Sequence, residues 1–376
     1  MKKIILIPDS FKGTVTAEEF CCISSDILQN YFPHTEIVSL PLADGGEGTI
    51  DCFLTMAGYT KVTATVKNAF MEDIIGYYAV KGNTAVMEMA MCASLPSAKG
   101  RENPATTTTY GVGQLISHAV KNGAEKIILG LGGSCTNDAG TGMAAALGVE
   151  FFDENGNRFI PTGATLDKIS RYSTEKSEKL LKNVEIVAMC DIDNPLYGKN
   201  GAAYIFAPQK GADSAMVAQL DDKLKYIANL TEKQTGNNYY DINGAGAAGG
   251  MGFGVCALLG GSLKPGVNLI LDTIDFEKKL SDTDLIITGE GRLDSQSLSG
   301  KAVIGISRIA QQHSVPVIAV VGSVADDITS VYSQGVTAVF TTNTQPVPFE
   351  IAAVNAKDNL RFTMENIARL INNINY

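Results

Sequence analysis

The chain has 376 residues, a formal net charge of −10, 45% apolar residues, seven cysteines and three histidines. Its length exceeds the roughly 250 to 300 residues at which a single core stops growing, so two domains are expected. The acidic balance without a basic block excludes a nucleic-acid surface, which needs clustered Lys and Arg, and no apolar run approaches the roughly 20 residues that span a bilayer.

The first strand is expected over residues 3–8 and ends in the box PDSFKG. The short MKKIILIPDS start is too brief for a signal peptide and suits a buried strand instead. A helix follows, with Thr16 and Glu19 spaced as a capping box, and then a strand over residues 36–40 that reaches ADGGEGT. Residues 61–89 change character: KVTATVKNAF, IIGYYAV and TAVMEMA alternate between turn residues, which predicts antiparallel strands and a second domain beginning near here. Inside that region a helix over 108–122, a strand over 126–131 and a small-residue helix over 140–147 restore an α/β pattern. From Asp284 onward strands and helices alternate strictly: DLIIT, a helix over 301–313, PVIAVVG, a helix near 325–334, AVFTTN and a terminal helix through Arg369. One open parallel sheet could therefore be built from both termini, with residues 63–280 inserted between 1–62 and 281–376. Three consecutive units are the alternative.

Several apolar runs give way directly to boxes of glycine beside acids, the pattern of buried parallel strands ending in functional loops. Glycines let backbone N–H groups approach an anion, whereas neighbouring carboxylates repel it unless a divalent cation lies between. Together they suggest a polyphosphate held with a metal. In GGSCTNDAGTG, Gly132, Gly133, Ser134, Thr136 and Asn137 could present donors and a helix dipole to a phosphate; Asn137 or Asp138 could equally cap the helix that follows. Lys12 in PDSFKG offers a compact positive charge, and ADGGEGT contributes Asp44 and Glu47. CDIDNPLYG places Asp191 and Asp193 after a strand, suited to Mg²⁺, to a base for a hydroxyl, or to a plain Asx turn. APQKGA adds Gln209 and Lys210. In TGEGRLDSQS, Arg292 could fork onto a carboxylate or pair with Glu290 or Asp294; Gln296 follows. GAGAAG, residues 244–249, satisfies a dinucleotide fingerprint, but no strong strand precedes it, and close packing of small residues is the better reading. No P-loop is present. The cysteines form no CxxC pair and suit a reducing cytoplasm, and His34, His118 and His313 stand far apart in sequence and outside the boxes, which disfavours a histidine-rich zinc site.

In this order, PDSFKG, ADGGEGT, GGSxTND, CDxxNPLxG, PQKGA, GAGAAGGxGxG and TGEGxxDxQ resemble the bacterial, non-P-loop glycerate kinase family, over residues 8–349. Cys135 and Ala139 stand where that family often has alanine and glycine. The resemblance implies a flavodoxin-like α/β domain made from both chain ends, an inserted mixed α/β domain, and an active site in the cleft between them. It also implies ATP-dependent, Mg²⁺-assisted phosphorylation of D-glycerate. On that expectation Gly132, Gly133, Ser134, Thr136 and Asn137 cradle phosphates, with Lys12 and Lys210 offsetting charge. Asp44, Glu290 and Asp294 hold the metal, Asp191 orients or deprotonates the substrate hydroxyl, and Arg292 takes the substrate carboxylate. An NAD-dependent hydroxy-acid oxidoreductase and a non-catalytic sugar-acid sensor are the rival classes.

Overall fold

A computed structural model describes residues 1–11, 13–42, 48–55, 58–294, 302–325 and 327–374. Lys12, Asp44, Glu47 and Gln296 lie outside the described residues. By spatial proximity the chain divides into two units, Met1–Ala43 with Val267–Tyr376, and Asp44–Gly266. The divisions fall near 43 and 266, where the sequence suggested 62 and 280. Helix Thr49–Thr55 explains the first shift: the buried Glu88 carboxylate accepts its Ile50 N–H at 2.6 Å, and Tyr77 donates to Asp51 at 3.2 Å, so this stretch belongs with the second unit.

The discontinuous unit contains five strands, Lys3–Leu6, Glu36–Ser39, Leu285–Leu293, Val317–Val324 and Ala338–Thr341. Counted along the chain they lie side by side as 2-1-3-4-5, all parallel. That is the flavodoxin-like order, whose ligand crevice lies where strands one and three part. Helix Ala17–Tyr31 starts as its sequence requires: Thr16 accepts from the Glu19 N–H and Glu19 accepts from the Thr16 N–H, both at 3.1 Å. Phe20, Ile23, Ile27 and Leu28 on its inner face pack with Leu360, Met364 and Ile367 of helix Ala356–Ile374 over the sheet. Each side chain so buried stabilises by roughly 1.5 to 3 kcal/mol.

Strand Leu285–Leu293 runs straight through TGEGRL, a segment expected to be loop. The glycines make this possible. A Cβ on Gly289 would lie 2.4 Å from the Val320 carbonyl oxygen, and one on Gly322 would lie 2.5 Å from that of Gly291, so side chains would prevent the close pairing with Val317–Val324. The helix expected near 325–334 is only Ser330–Ser333.

The continuous unit is built on a six-stranded mixed sheet, Thr60–Lys67, Asp73–Lys81, Thr84–Glu88, Lys126–Gly130, Glu185–Met189 and Ser262–Lys264, in chain order across the sheet. The first three strands pair antiparallel and the last four pair parallel. Registers Glu88↔Gly130, Gly130↔Met189 and Met189↔Lys264 bring four carboxyl ends into one row. A second core gathers around helix Ser214–Thr235, which Asp213 caps through the Met216 N–H at 2.8 Å, and a small antiparallel sheet of Glu150–Phe152, Arg158–Phe159 and Arg171–Ser173. Among the described residues, no helix is long and apolar enough to cross a membrane.

Candidate active site

At that row of carboxyl ends, strand Lys126–Gly130 passes into the loop of residues 131–140. Its backbone is strapped to a neighbouring segment: Leu95 N–H bonds the Gly133 carbonyl at 2.7 Å and Cys135 N–H bonds the Ala93 carbonyl at 2.9 Å. Gly133 takes φ +75°, a conformation that favours glycine.

Lys210 reaches the loop from a separate turn, Pro208–Lys210. It is 2% exposed, and its Nζ donates to Ser134 Oγ and to the Thr136 carbonyl, each at 2.7 Å. Burial lowers its pKa to about 8, against the attraction of Cys135 and Asp138. Both of these bonds go to the loop itself.

Asp138 is fully buried and accepts five hydrogen bonds: from Thr109 N–H at 2.8 Å, Thr109 Oγ1 at 2.9 Å, Thr108 Oγ1 at 3.4 Å, Gly140 N–H at 3.1 Å and Gly142 N–H at 3.3 Å. Burial raises its pKa and these donors oppose the rise. Gly140 stands at the N-cap of helix Thr141–Ala146, and of the two residues expected to cap it Asp138 is the one that takes a first-turn amide, the Gly142 N–H. Asn137 is also wholly buried, yet neither end of its amide has a partner among the described residues, and the Thr136 hydroxyl is in the same condition.

The GAGAAGG segment lies directly against this loop. Ala139 N–H bonds the Gly249 carbonyl at 3.0 Å, and a Cβ on Gly249 would sit 2.0 Å from the Thr136 carbonyl oxygen. No strand leads directly into Gly244. Its glycines thus serve packing, and the strand context that a dinucleotide fingerprint needs is missing.

Next in the row, Asp191 follows strand Glu185–Met189, and its Oδ1 accepts the Gly266 N–H at 2.8 Å. Asp193 is exposed nearby in sequence. Sequence reasoning missed Glu88, 4% exposed at the end of strand Thr84–Glu88. Its signal was an acid closing an apolar run, hidden inside the alternation of TAVMEMA.

The discontinuous unit has its own convergence. Asp9 N–H bonds the Gly289 carbonyl and Thr288 Oγ1 bonds the Ile7 carbonyl, both at 2.8 Å, so the PDS and TGEG boxes adjoin where strands one and three part. Glu290 is 7% exposed on strand Leu285–Leu293. Arg292 projects from the same strand with its side chain 68% exposed, 3.8 Å from Asp294 Oδ2. Among the described residues, no group of three acids, histidines or cysteines is arranged to hold a metal ion.

A family model described as the glycerate kinase family matches residues 4–372. The chain is 41% identical to a glycerate kinase of Bacillus cereus over 97% of each sequence, and 38% identical to a glycerate 2-kinase of Escherichia coli, again over 97% of each. It is also similar to the crystal structure of a Salmonella typhimurium LT2 protein solved as a candidate glycerate kinase 2, with a TM-score of 0.85 and 36% identity over 98% of both chains.

Proposed function

The chain belongs to the glycerate kinase family, and on that footing we propose that it transfers the γ-phosphoryl group of ATP to D-glycerate, giving 2-phosphoglycerate in preference to 3-phosphoglycerate. The observation that carries this reading is the loop of residues 132–138, rich in glycine and hydroxyl groups, fixed at the end of a parallel strand beside Asp191. Its preference for O2 leans on the similarity to the E. coli glycerate 2-kinase.

Phosphoryl transfer asks a protein mainly to position the reactants and neutralise charge. The backbone of Gly132 and Gly133 with Ser134, Thr136 and Asn137 forms the phosphate cradle. Unpaired buried polar atoms at Thr136 and Asn137 cost about 1 to 3 kcal/mol each unless something bonds them; because both residues are wholly buried, the loop has to shift before a ligand or its water can become their partner. Asp191, steadied by the Gly266 N–H, orients the substrate hydroxyl and accepts its proton. Arg292 takes the substrate carboxylate, and Lys12 adds positive charge. Glu290 and Asp294, close together along one strand end, offer the hard carboxylate oxygens that Mg²⁺ prefers, with Asp44 as a third donor. When bound, Mg²⁺ supplies charge neutralisation on the phosphate oxygens.

The test is ADP release with D-glycerate, with and without Mg²⁺, and a ³¹P spectrum of the product. Glycerate-dependent, Mg²⁺-dependent turnover with the phosphate on O2 is expected. Absence of glycerate-dependent ATP consumption would sink the proposal.

A further inference from the structure

We propose that Lys210 is a positioning residue for this reaction: it sets the shape of the glycine loop from beneath and does not meet the ligand. The inference rests on the reading of residues 132–138 as the phosphate cradle.

Three observations carry it. First, Nζ bonds two acceptors that lie two residues apart in the loop, the Ser134 side chain and the Thr136 backbone, each at 2.7 Å. One ammonium therefore fixes both a side-chain rotamer and a peptide orientation. Second, the lysine stands on a firm corner. Lys210 N–H bonds the Ala207 carbonyl at 2.9 Å and Ala212 N–H bonds the same carbonyl at 3.1 Å. Gly211 adopts φ +95°, where a Cβ would lie 2.8 Å from the Glu102 backbone. The turn is anchored between helix Ala202–Phe206 and the Asp213-capped helix Ser214–Thr235. Third, the far end of the loop is held by a buried charge of opposite sign, since Asp138 gathers Thr108, Thr109, Gly140 and Gly142. Two buried charges thus bracket Thr136 and Asn137, the residues whose polar atoms lack partners.

Stability alone does not account for a charge here. A buried ion is costly to desolvate, and an apolar side chain of similar volume in its place is often as stable or more so. What an apolar residue cannot do is hold Ser134 Oγ and the Thr136 carbonyl in one fixed relation.

The experiment compares wild type, Lys210→Met, Ser134→Ala and the double variant in the full-length enzyme. It measures kcat, KM for ATP and for glycerate, and thermal midpoint. Lys210→Met is expected to keep a near wild-type midpoint and glycerate KM while kcat falls by about 10²-fold, the scale for a displaced catalytic frame. The double variant is expected to be no worse than Lys210→Met alone, because the lysine acts partly through Ser134. Direct contact with phosphate would instead raise the KM for ATP with kcat retained, and would make the two losses additive; either result overturns the assignment. Near wild-type kinetics for Lys210→Met, with ATP kinetics still impaired in Ser134→Ala, would also overturn it while leaving the cradle intact. If Ser134→Ala and Thr136→Ala both leave ATP kinetics unchanged, the cradle reading itself falls. Lys210→Gln, which keeps a shorter donor, serves if the methionine variant does not fold. Unfolding of both variants would make Lys210 a stability residue only and remove the proposal.

Discussion

Lys210 illustrates how a residue's environment changes its chemistry. Its folded pKa of about 8 lies below the ordinary lysine value near 10.4, so the unfolded chain holds this proton more tightly. Stability from this group is therefore greatest above the unfolded value and is lost as pH falls through about 8. Across that window the contribution is on the order of 3 kcal/mol. Denaturation between pH 7 and 10 should show wild type gaining stability relative to Lys210→Met as pH rises; a constant difference would refute this. Cys135 and Asp138 face the ammonium, and the Cys135 thiol, pushed up to about 11 by burial, titrates above most of the window. Asp138→Asn is the companion test. An amide keeps one acceptor and would aim its NH2 either at the Gly140 N–H on the Oδ1 side or at the Thr109 and Gly142 N–H groups on the Oδ2 side, and a loss of at least about 2 kcal/mol is expected in urea melts. At this scale the residue types of the candidate site were legible in GGSCTND and PQKGA. The direction of a side chain was not: nothing in the string distinguishes an ammonium in solvent from one folded under a loop, and Glu88 was masked by its apolar neighbours.

Between elements, contact is governed by glycine. Ala139 and Gly140 both adopt positive φ, as do Ala248, Gly249 and Gly250 across from them. Gly249→Ala would drive a methyl to 2.0 Å from the Thr136 carbonyl oxygen at a φ that disfavours side chains. It should lower the thermal midpoint by several degrees and reduce kcat as well, because the displaced atom belongs to the proposed cradle; an unchanged midpoint would contradict that close packing. Gly260→Ala is a useful control: it shares a positive φ of 67°, yet nothing lies within 4 Å of the added methyl. Most elements could be read from period and caps, as Thr16 with Glu19 shows. The errors came where pairing overrode local composition. TGEGRL looks like a turn until Val317–Val324 lies beside it, and the strands Glu150–Phe152 and Arg171–Ser173 are too short to give a pattern of their own.

For the molecule as a whole, the two-part architecture was foreseeable from length and from matching βα rhythms at both ends, whereas its first division falls earlier because Thr49–Thr55 is tied by hydrogen bonds to Glu88 and Tyr77. Thiol chemistry gives a global probe. Burial pushes Cys21 and Cys92 up to about 12 and Cys135, Cys190 and Cys256 to about 11, while Cys22 alone among the cysteines is exposed. Iodoacetamide at pH 8 should therefore label Cys22 quickly, the half-buried Cys190 more slowly, and the buried cysteines only as the fold opens, as followed by peptide mass spectrometry. Fast labelling of several sites in native protein would contradict the described burial.

The place of Lys3–Leu6 between Glu36–Ser39 and Leu285–Leu293 has a consequence for birth on the ribosome. Lys3–Leu6 must wait for one of its two neighbours until Asp44–Gly266 has been threaded out and Leu285–Leu293 has been made, roughly 10 to 60 s after Lys3–Leu6 itself at ordinary elongation speeds. The uninterrupted unit can mature first, while the apolar Lys3–Leu6 segment stays half-matched in the meantime.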